Sequence, residues 1–160
     1  MLSFTQFYSE SLIPAAPDST QNSLLHNYHR LSNRFPVSFV NIDGKDEPVD
    51  EHSSFWNEQE VDIVKSLVIE LVSTNGPHGI LLPSQISVIS PFREQVWRIR
   101  LALRKVGLGD VDVGNVEALQ GSENRVVIIS TVRSRSQIHL RSDRLQHRYV
   151  ISIRALHEHR

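Results

Sequence analysis

The chain of 160 residues contains no cysteine, which excludes a disulfide framework and any zinc site built on thiolates. It also lacks an apolar run long enough to cross a membrane, and no charged-then-apolar leader opens it, so we expect a soluble intracellular protein without membrane contact. The length fits one domain, and the 39% of residues that are apolar can supply its core.

The chain has little excess of either charge, with a formal net charge of −1, but the charge is unevenly placed. Residues 133–160 contain seven basic and two acidic residues, a net charge of +5, whereas 10 basic and 16 acidic residues give the rest of the chain −6. Such asymmetry is typical of a segment that faces nucleic acid. A solvated Arg-rich end explains it equally well.

The pattern of apolar residues predicts alternating strands and helices. Residues 1–36 are rich in Ser, Asn, Pro and His and predict an irregular entry segment with a short helix near residues 24–31. The alternation over residues 37–42 predicts a strand. Apolar positions that recur every three or four residues from Asn57 to Val72 predict an amphipathic helix, which Asn57 could cap.

A second strand and helix follow the first pair. Residues 86–89 predict a strand, and Pro91 is suited to the first position of a helix. The buried stripe of that helix is predicted at Phe92, Val96, Ile99 and Leu103, and its end at Gly107 and Gly109.

Two further apolar strands lie within residues 111–133 and are joined by a polar turn. Strands so apolar are buried on both faces, so the order of elements predicts an α/β fold with a mostly parallel sheet and helices on both faces. The turn between them contains Gln120, Gly121 and Glu123 and should surface at the sheet edge where α/β proteins bind ligands. A glycine there lets the backbone approach a phosphate, while an amide or carboxylate can bond a sugar hydroxyl or a water.

Residues 113–123, Val-Gly-Asn-Val-Glu-Ala-Leu-Gln-Gly-Ser-Glu, resemble motif V of the Upf-like superfamily 1 helicases. The closing residues 128–133, Ile-Ile-Ser-Thr-Val-Arg, continue the match, and residues 86–100 are similar to the strand-then-helix segment of that family. Residues 44–47 and 54–60 resemble the Armitage-type RNA-silencing branch more narrowly.

The resemblance covers roughly residues 4–133 and implies the second RecA-like domain of a two-domain motor, with a P-loop NTPase-type fold. It divides the chain into the entry segment, a RecA-like domain over residues 37–133, and a basic tail over residues 134–160 with a degenerate motif VI. In that family this domain closes over a nucleotide held by an N-terminal RecA-like domain, which these 160 residues do not contain.

The same resemblance implies the residues of the nucleotide cleft. Gly121 matches a position near the terminal phosphate, Glu123 matches one on the ribose hydroxyls, and Gln120 matches a link between the nucleotide and the nucleic acid. Arg154 is carried to the arginine-finger position, which neutralises charge on the transferred phosphate. Two residues of motif VI are missing around Arg154, and a displacement of several ångströms can abolish catalysis.

Ser90, Arg93 and Asn115 are the implied nucleic-acid residues. Ser90 and Asn115 stand where the family usually has Thr, at strand ends where small polar side chains and amides can bond phosphate oxygens. Ser90 could equally cap the helix that follows. Asn57 and Glu60 match a polar pair of the family that steadies a helix start, and we interpret both as structural.

The cofactors implied by the family are ATP and Mg²⁺ in the full-length enzyme. Gly44-Lys45 is followed by Asp46 and has no glycine upstream, so it is not a phosphate-binding loop, and we expect this chain alone to bind neither. The histidines lack ligand-spaced partners, so we expect no metal site.

The sequence therefore predicts the C-terminal motor domain of an ATP-dependent RNA helicase of the RNA-silencing or RNA-decay type. Its implied partners are the backbone of single-stranded RNA, the N-terminal RecA-like domain and RNA-silencing proteins. The implied location is the cytoplasm, with cytoplasmic RNA granules as the narrower option. The alternative is a non-catalytic helicase fragment that acts as an RNA- or protein-binding module.

Overall fold

A computed structural model describes residues 37–40, 42, 45–49, 54–76, 79–122 and 124–132. The helix predicted near residues 24–31, Glu123, and the tail with Arg154 lie outside the described residues. The elements in chain order are β1 (Glu47–Val49), β2 (Ser54–Trp56), α1 (Glu58–Ser73), β3 (Asn75–Gly76), β4 (Gly79–Ile80), a 3₁₀ turn (Pro83–Gln85), β5 (Ile86–Ile89), α2 (Arg93–Lys105), β6 (Asp112–Gly114) and β7 (Val126–Ile129).

The main sheet has three parallel strands in the order β6-β5-β7. In the central strand, Val88 lies opposite Val113 of β6 and Ile128 of β7. Parallel neighbours require a crossover, and α2 supplies the one between β5 and β6. The predicted α/β class with a parallel main sheet is therefore confirmed.

Two short antiparallel hairpins were not predicted: β1 pairs with β2, and β3 pairs with β4. The strand predicted over residues 37–42 was wrong in the described part of that range, where only Ser38 forms a β-bridge. Alternating apolar residues favour a strand, but a strand also needs a neighbour with free backbone groups, and the sequence does not reveal that neighbour.

Helix α1 follows its predicted pattern closely. The Asn57 side chain accepts a hydrogen bond from the Glu60 amide at 3.1 Å and so caps the helix, as predicted. The positions of the predicted stripe that are buried are Val61, Val64, Leu67, Val68 and Leu71. The helix ends at Ser73, directly before the hairpin of β3 and β4.

Helix α2 begins at Arg93, two residues later than the position predicted from Pro91. The extended backbone of Phe92 delays the start, so Phe92 is half-buried ahead of the helix and its predicted place in the buried stripe was wrong. Its ring packs edge-on against the Phe55 ring with centroids 5.6 Å apart. At the other end, the Leu108 amide donates to the Leu103 carbonyl at 3.0 Å. Gly107 has a φ of 77°, so this is the glycine-dependent helix end that was predicted.

Both described helices pack on the same face of the sheet, so the part of the prediction that placed helices on both faces stays a prediction. That face is formed by alternate residues of β5 and β7, namely Ile86, Val88, Val126 and Ile128, all fully buried. They join the apolar stripes of α1 and α2 in one hydrophobic core. The packing of these helices fixes the carboxyl ends of the strands, where the candidate site lies.

Candidate functional site at the carboxyl edge of the sheet

The carboxyl ends of the three parallel strands are tied together by backbone hydrogen bonds. Just beyond β5, the Ser90 amide donates to the Gly114 carbonyl at the end of β6 at 3.0 Å. Beyond β7, the Ser130 amide donates to the Ile89 carbonyl at 2.9 Å. The structure thereby brings Ser90 and Asn115 to one edge, where an α/β sheet offers a ligand site.

Asn115 braces the turn that follows β6. Its side-chain oxygen accepts a hydrogen bond from the Ala118 amide at 2.9 Å, and its carbonyl accepts one from the Leu119 amide at 3.3 Å. Leu119 is buried, and a Cβ at Gly114 would lie only 3.1 Å from its Cγ. The close approach of turn and strand therefore explains the glycine at this position.

The tip of the turn is open to solvent. Gln120 and Gly121 are exposed, and Gly121 has a φ of 83°, which favours glycine. A Cβ at Gly121 would meet no atom within 4 Å, so a phosphate group has room to approach this backbone. The Ser122 hydroxyl donates to the Leu119 carbonyl at 2.6 Å and closes the turn. The backbone at Gly121 is therefore open to solvent, and its assignment to a nucleotide stays a prediction.

The remaining predicted nucleic-acid residues differ in exposure. Arg93 is exposed as the first residue of α2. Ser90 is fully buried, and its hydroxyl has no hydrogen-bond partner among the residues that the structure describes. Arg93 can therefore meet a ligand in this conformation, whereas the Ser90 hydroxyl does not reach solvent.

Behind this edge lies a group of buried side chains that we name the buried polar cluster: Asn57, Glu60, Gln95 and Ser130. Glu60 Oε2 accepts hydrogen bonds from the Ser130 hydroxyl and, at 3.0 Å, from the Val132 amide. Glu60 therefore connects the start of α1 to the chain that leaves β7.

Gln95 completes the buried polar cluster. Its side-chain oxygen accepts from the Asn57 amide at 2.9 Å, and its Nε2 donates to Ser130 Oγ at 2.9 Å. Asn57 and Glu60 were predicted at the helix start, whereas Gln95 and Ser130 were not predicted. The available signal was the position of Gln95, four residues before the buried Ile99 and thus on the core-facing side of α2.

Burial dominates the electrostatics of this cluster. Removal of the Glu60 carboxyl from water raises its pKa above the ordinary value of 4.5, and hydrogen bonds from Ser130 and Val132 oppose that rise. Val132 has a φ of 66°, an unusual backbone conformation for a β-branched residue. The hydrogen bond from the Val132 amide to the Glu60 carboxylate helps to hold that conformation.

Other site classes receive no support within the described ranges. There, His, Asp and Glu side chains form no group of three that could hold a metal ion. In the same part of the chain, every helix is too short or too polar to cross a membrane.

Comparisons with known proteins agree on one family. Residues 1–152 match the family model described as an AAA domain. The zebrafish (Danio rerio) putative helicase mov-10-B.2 is 34% identical over 137 residues, which cover 80% of this chain and 14% of that protein. The human RNA helicase Mov10l1 is 36% identical over 135 residues, which cover 84% of this chain and 11% of that protein. A human probable helicase with zinc finger domain is 39% identical over 103 residues, 63% of this chain and 5% of that protein.

Proposed function

Because the chain belongs to the Upf-like superfamily 1 helicases, as their second RecA-like domain, we propose that it is the C-terminal motor domain of an ATP-dependent RNA helicase. The observation that carries the proposal is the edge of the sheet, where Arg93, Asn115 and the open turn at Gly121 follow neighbouring parallel strands. The chain spans 14% or less of the length of these relatives, so the complete motor includes other domains.

The nucleic-acid part of the proposal rests on two solvent-accessible groups. The Arg93 guanidinium and the amide nitrogen of Asn115 can donate to phosphate oxygens without rearrangement, because neither residue is buried. Ser90 would contribute its hydroxyl only after the groups that cover it move. The relatives include a protein named as an RNA helicase, and RNA is the substrate that we assign to this chain.

The nucleotide part assigns ATP and Mg²⁺ to the two-domain enzyme. Gly121 offers an open backbone to the terminal phosphates, and Gln120 beside it is exposed and can both donate and accept hydrogen bonds. We further assign Glu123 to the ribose hydroxyls and Arg154 to the transferred phosphate. When bound, Mg²⁺ and an arginine neutralise charge on the phosphoryl group.

The resemblance of residues 44–47 and 54–60 extends the proposal to the RNA-silencing branch. RNA-silencing proteins are then candidate partners, and the cytoplasm is the candidate location.

The proposal is tested by RNA binding of the 160-residue chain. We expect weak binding of single-stranded RNA that falls steeply as salt rises from about 50 to 200 mM, because phosphate contacts release counterions. Arg93→Ala should weaken it, whereas Glu58→Ala, an exposed change in α1, should not. Tight, base-specific binding that is insensitive to salt would contradict the backbone contacts.

A second measurement concerns catalysis. We expect no ATP hydrolysis above background by these 160 residues, because they contain no Gly-x-x-x-x-Gly-Lys-Ser/Thr segment to hold the triphosphate. RNA-stimulated turnover by the purified chain would contradict this expectation.

A further inference from the structure

Helix α2 presents aromatic, apolar and basic side chains on the side away from the core. Trp97 is 56% exposed and Leu101 is 39% exposed, and the four-residue spacing makes them neighbours on the helix. With the arginines at matching helical spacing they form what we name the α2 outer face: Arg93, Trp97, Arg100, Leu101 and Arg104. This face contains three positive charges and no acidic side chain.

Contacts on both flanks fix the direction of this face. On one flank, the Arg98 guanidinium lies 3.5 Å above the centre of the Trp56 ring in β2 and bonds Glu94 at 2.8 Å. On the other flank, Arg100 Nε donates to the Val113 carbonyl of β6 at 2.8 Å. Around the helix axis, Trp97 lies between these two flanks, and it is exposed to solvent.

The charge and the side-chain types of the α2 outer face favour single-stranded nucleic acid over a partner helix. A partner helix would need an apolar stripe over several turns, but three of the five residues in this face are arginines. Single-stranded nucleic acid needs an aromatic surface for a base and cations for the phosphates on either side. Tryptophan stacks on bases of any sequence, and arginine contributes both charge and planar contact.

We propose that Trp97 is a base-stacking platform for single-stranded RNA, with Arg93 and Arg104 contacting the adjacent phosphates. The inference rests on the proposed function and extends it. From Arg93 at the sheet edge to Arg104, the RNA would follow about 16 Å of helix, given the rise per residue of an α-helix. Arg100 holds the β6 edge through Val113 and adds positive charge to the same face.

The test compares two ligands of equal charge with the 160-residue chain. One is an oligouridylate of about 12 nucleotides, within the site sizes of known single-strand binders, and the other is an abasic strand of the same length. Trp97→Ala should weaken oligouridylate binding about fivefold or more, because stacking on an aromatic ring is lost. Its affinity for the abasic strand should match that of the parent chain.

Two further variants make the result specific. Trp97→Phe keeps an aromatic ring and should retain most of the affinity. Trp56→Phe leaves Trp97 as the sole remaining tryptophan of the chain's two, so its fluorescence should be quenched by oligouridylate but not by the abasic strand. The quenching measurement needs no variant at Trp97 and therefore holds even if Trp97→Ala fails to fold.

The outcomes separate this inference from the proposed function. Equal affinity of the parent chain and Trp97→Ala for oligouridylate would overturn the stacking platform and leave the RNA contacts at the sheet edge intact. Absence of RNA binding by the parent chain at low salt would overturn both. Trp97-dependent binding of a polyglutamate peptide, without base-dependent RNA binding, would identify a protein-docking face and overturn the stacking platform.

Discussion

The buried polar cluster and the turn over residues 115–122 stand at the same edge of the sheet, yet they hold their residues in opposite ways. In the cluster, Gln95 and Glu60 are almost completely buried, and their hydrogen bonds join α2 and the start of α1 to the chain after β7. In the turn, Asn115 and Leu119 brace the backbone while Gln120 and Gly121 remain exposed. The buried polar cluster therefore holds structural elements together, whereas the turn presents polar groups to solvent.

The difference in burial decides what each kind of residue can do. A buried polar group stabilises a fold only when its partners are present, so loss of one partner is costly. An exposed group exchanges its partners with water at little cost, so it is available to a ligand. Substitutions in the cluster should therefore change stability, and substitutions in the turn should change affinity.

The largest expected effect is on Glu60. Glu60→Ala removes the acceptor of the Ser130 hydroxyl and the Val132 amide, and we expect the free energy of unfolding to fall by about 3 kcal/mol or more. The matched control is Glu58→Ala in the same helical turn, where an exposed side chain should change it by less than about 0.5 kcal/mol. Urea unfolding measures both free energies, and equal losses would show that the hydrogen bonds of the buried Glu60 carboxyl do not stabilise the fold.

The next effect is on Glu123, the carboxylate that follows the turn over residues 115–122. Glu123 lies outside the described residues. In the two-domain enzyme that we propose, Glu123→Gln should raise the Michaelis constant for nucleotide roughly tenfold, since hydrogen bonds to charged groups contribute about 1.5–3 kcal/mol. Its thermal midpoint should stay within a few degrees of the parent's. Unfolding without a change in nucleotide affinity would make Glu123 a brace like Glu60.

Helical periodicity and separation along the chain decide how much of this edge the sequence could predict. The apolar stripes of α1 and α2 could be predicted because buried positions recur with the helical period. The edge of the sheet that contains the candidate site could be predicted because apolar strands flank the turn with Gly121. Gln95 and Ser130 were missed, because their bond joins residues 35 positions apart and depends on how α2 packs on β7. The role of Glu123 came from resemblance alone and stays a prediction.

A smaller effect concerns pH. Burial raises the pKa of Glu60, so between its unfolded and folded pKa the native state binds more protons than the unfolded state. The stabilisation linked to this proton is complete below about 4.5 and is lost as the pH rises through the folded pKa. Glu60→Gln cannot titrate, so its stability relative to the parent chain should rise with pH above 4.5. A constant difference across that range would show that burial does not control this carboxyl.

The smallest expected effect is on Asn115, which could be a brace, a contact for RNA, or both. Its side-chain oxygen bonds the Ala118 amide at 2.9 Å in an exposed setting, so Asn115→Ala should cost only about 0.5–1 kcal/mol of stability. Asn115→Asp keeps that acceptor but places a negative charge where a phosphate would lie. If the amide nitrogen donates a hydrogen bond to an RNA phosphate, the Asp variant should keep the parent's thermal midpoint and lose RNA affinity. That loss of affinity should shrink as salt screens the repulsion between the carboxylate and the phosphate. If the Asp variant instead binds RNA as the parent does while the Ala variant is weakened, the side chain serves only the turn, and Arg93 would be the remaining exposed phosphate contact proposed at this edge.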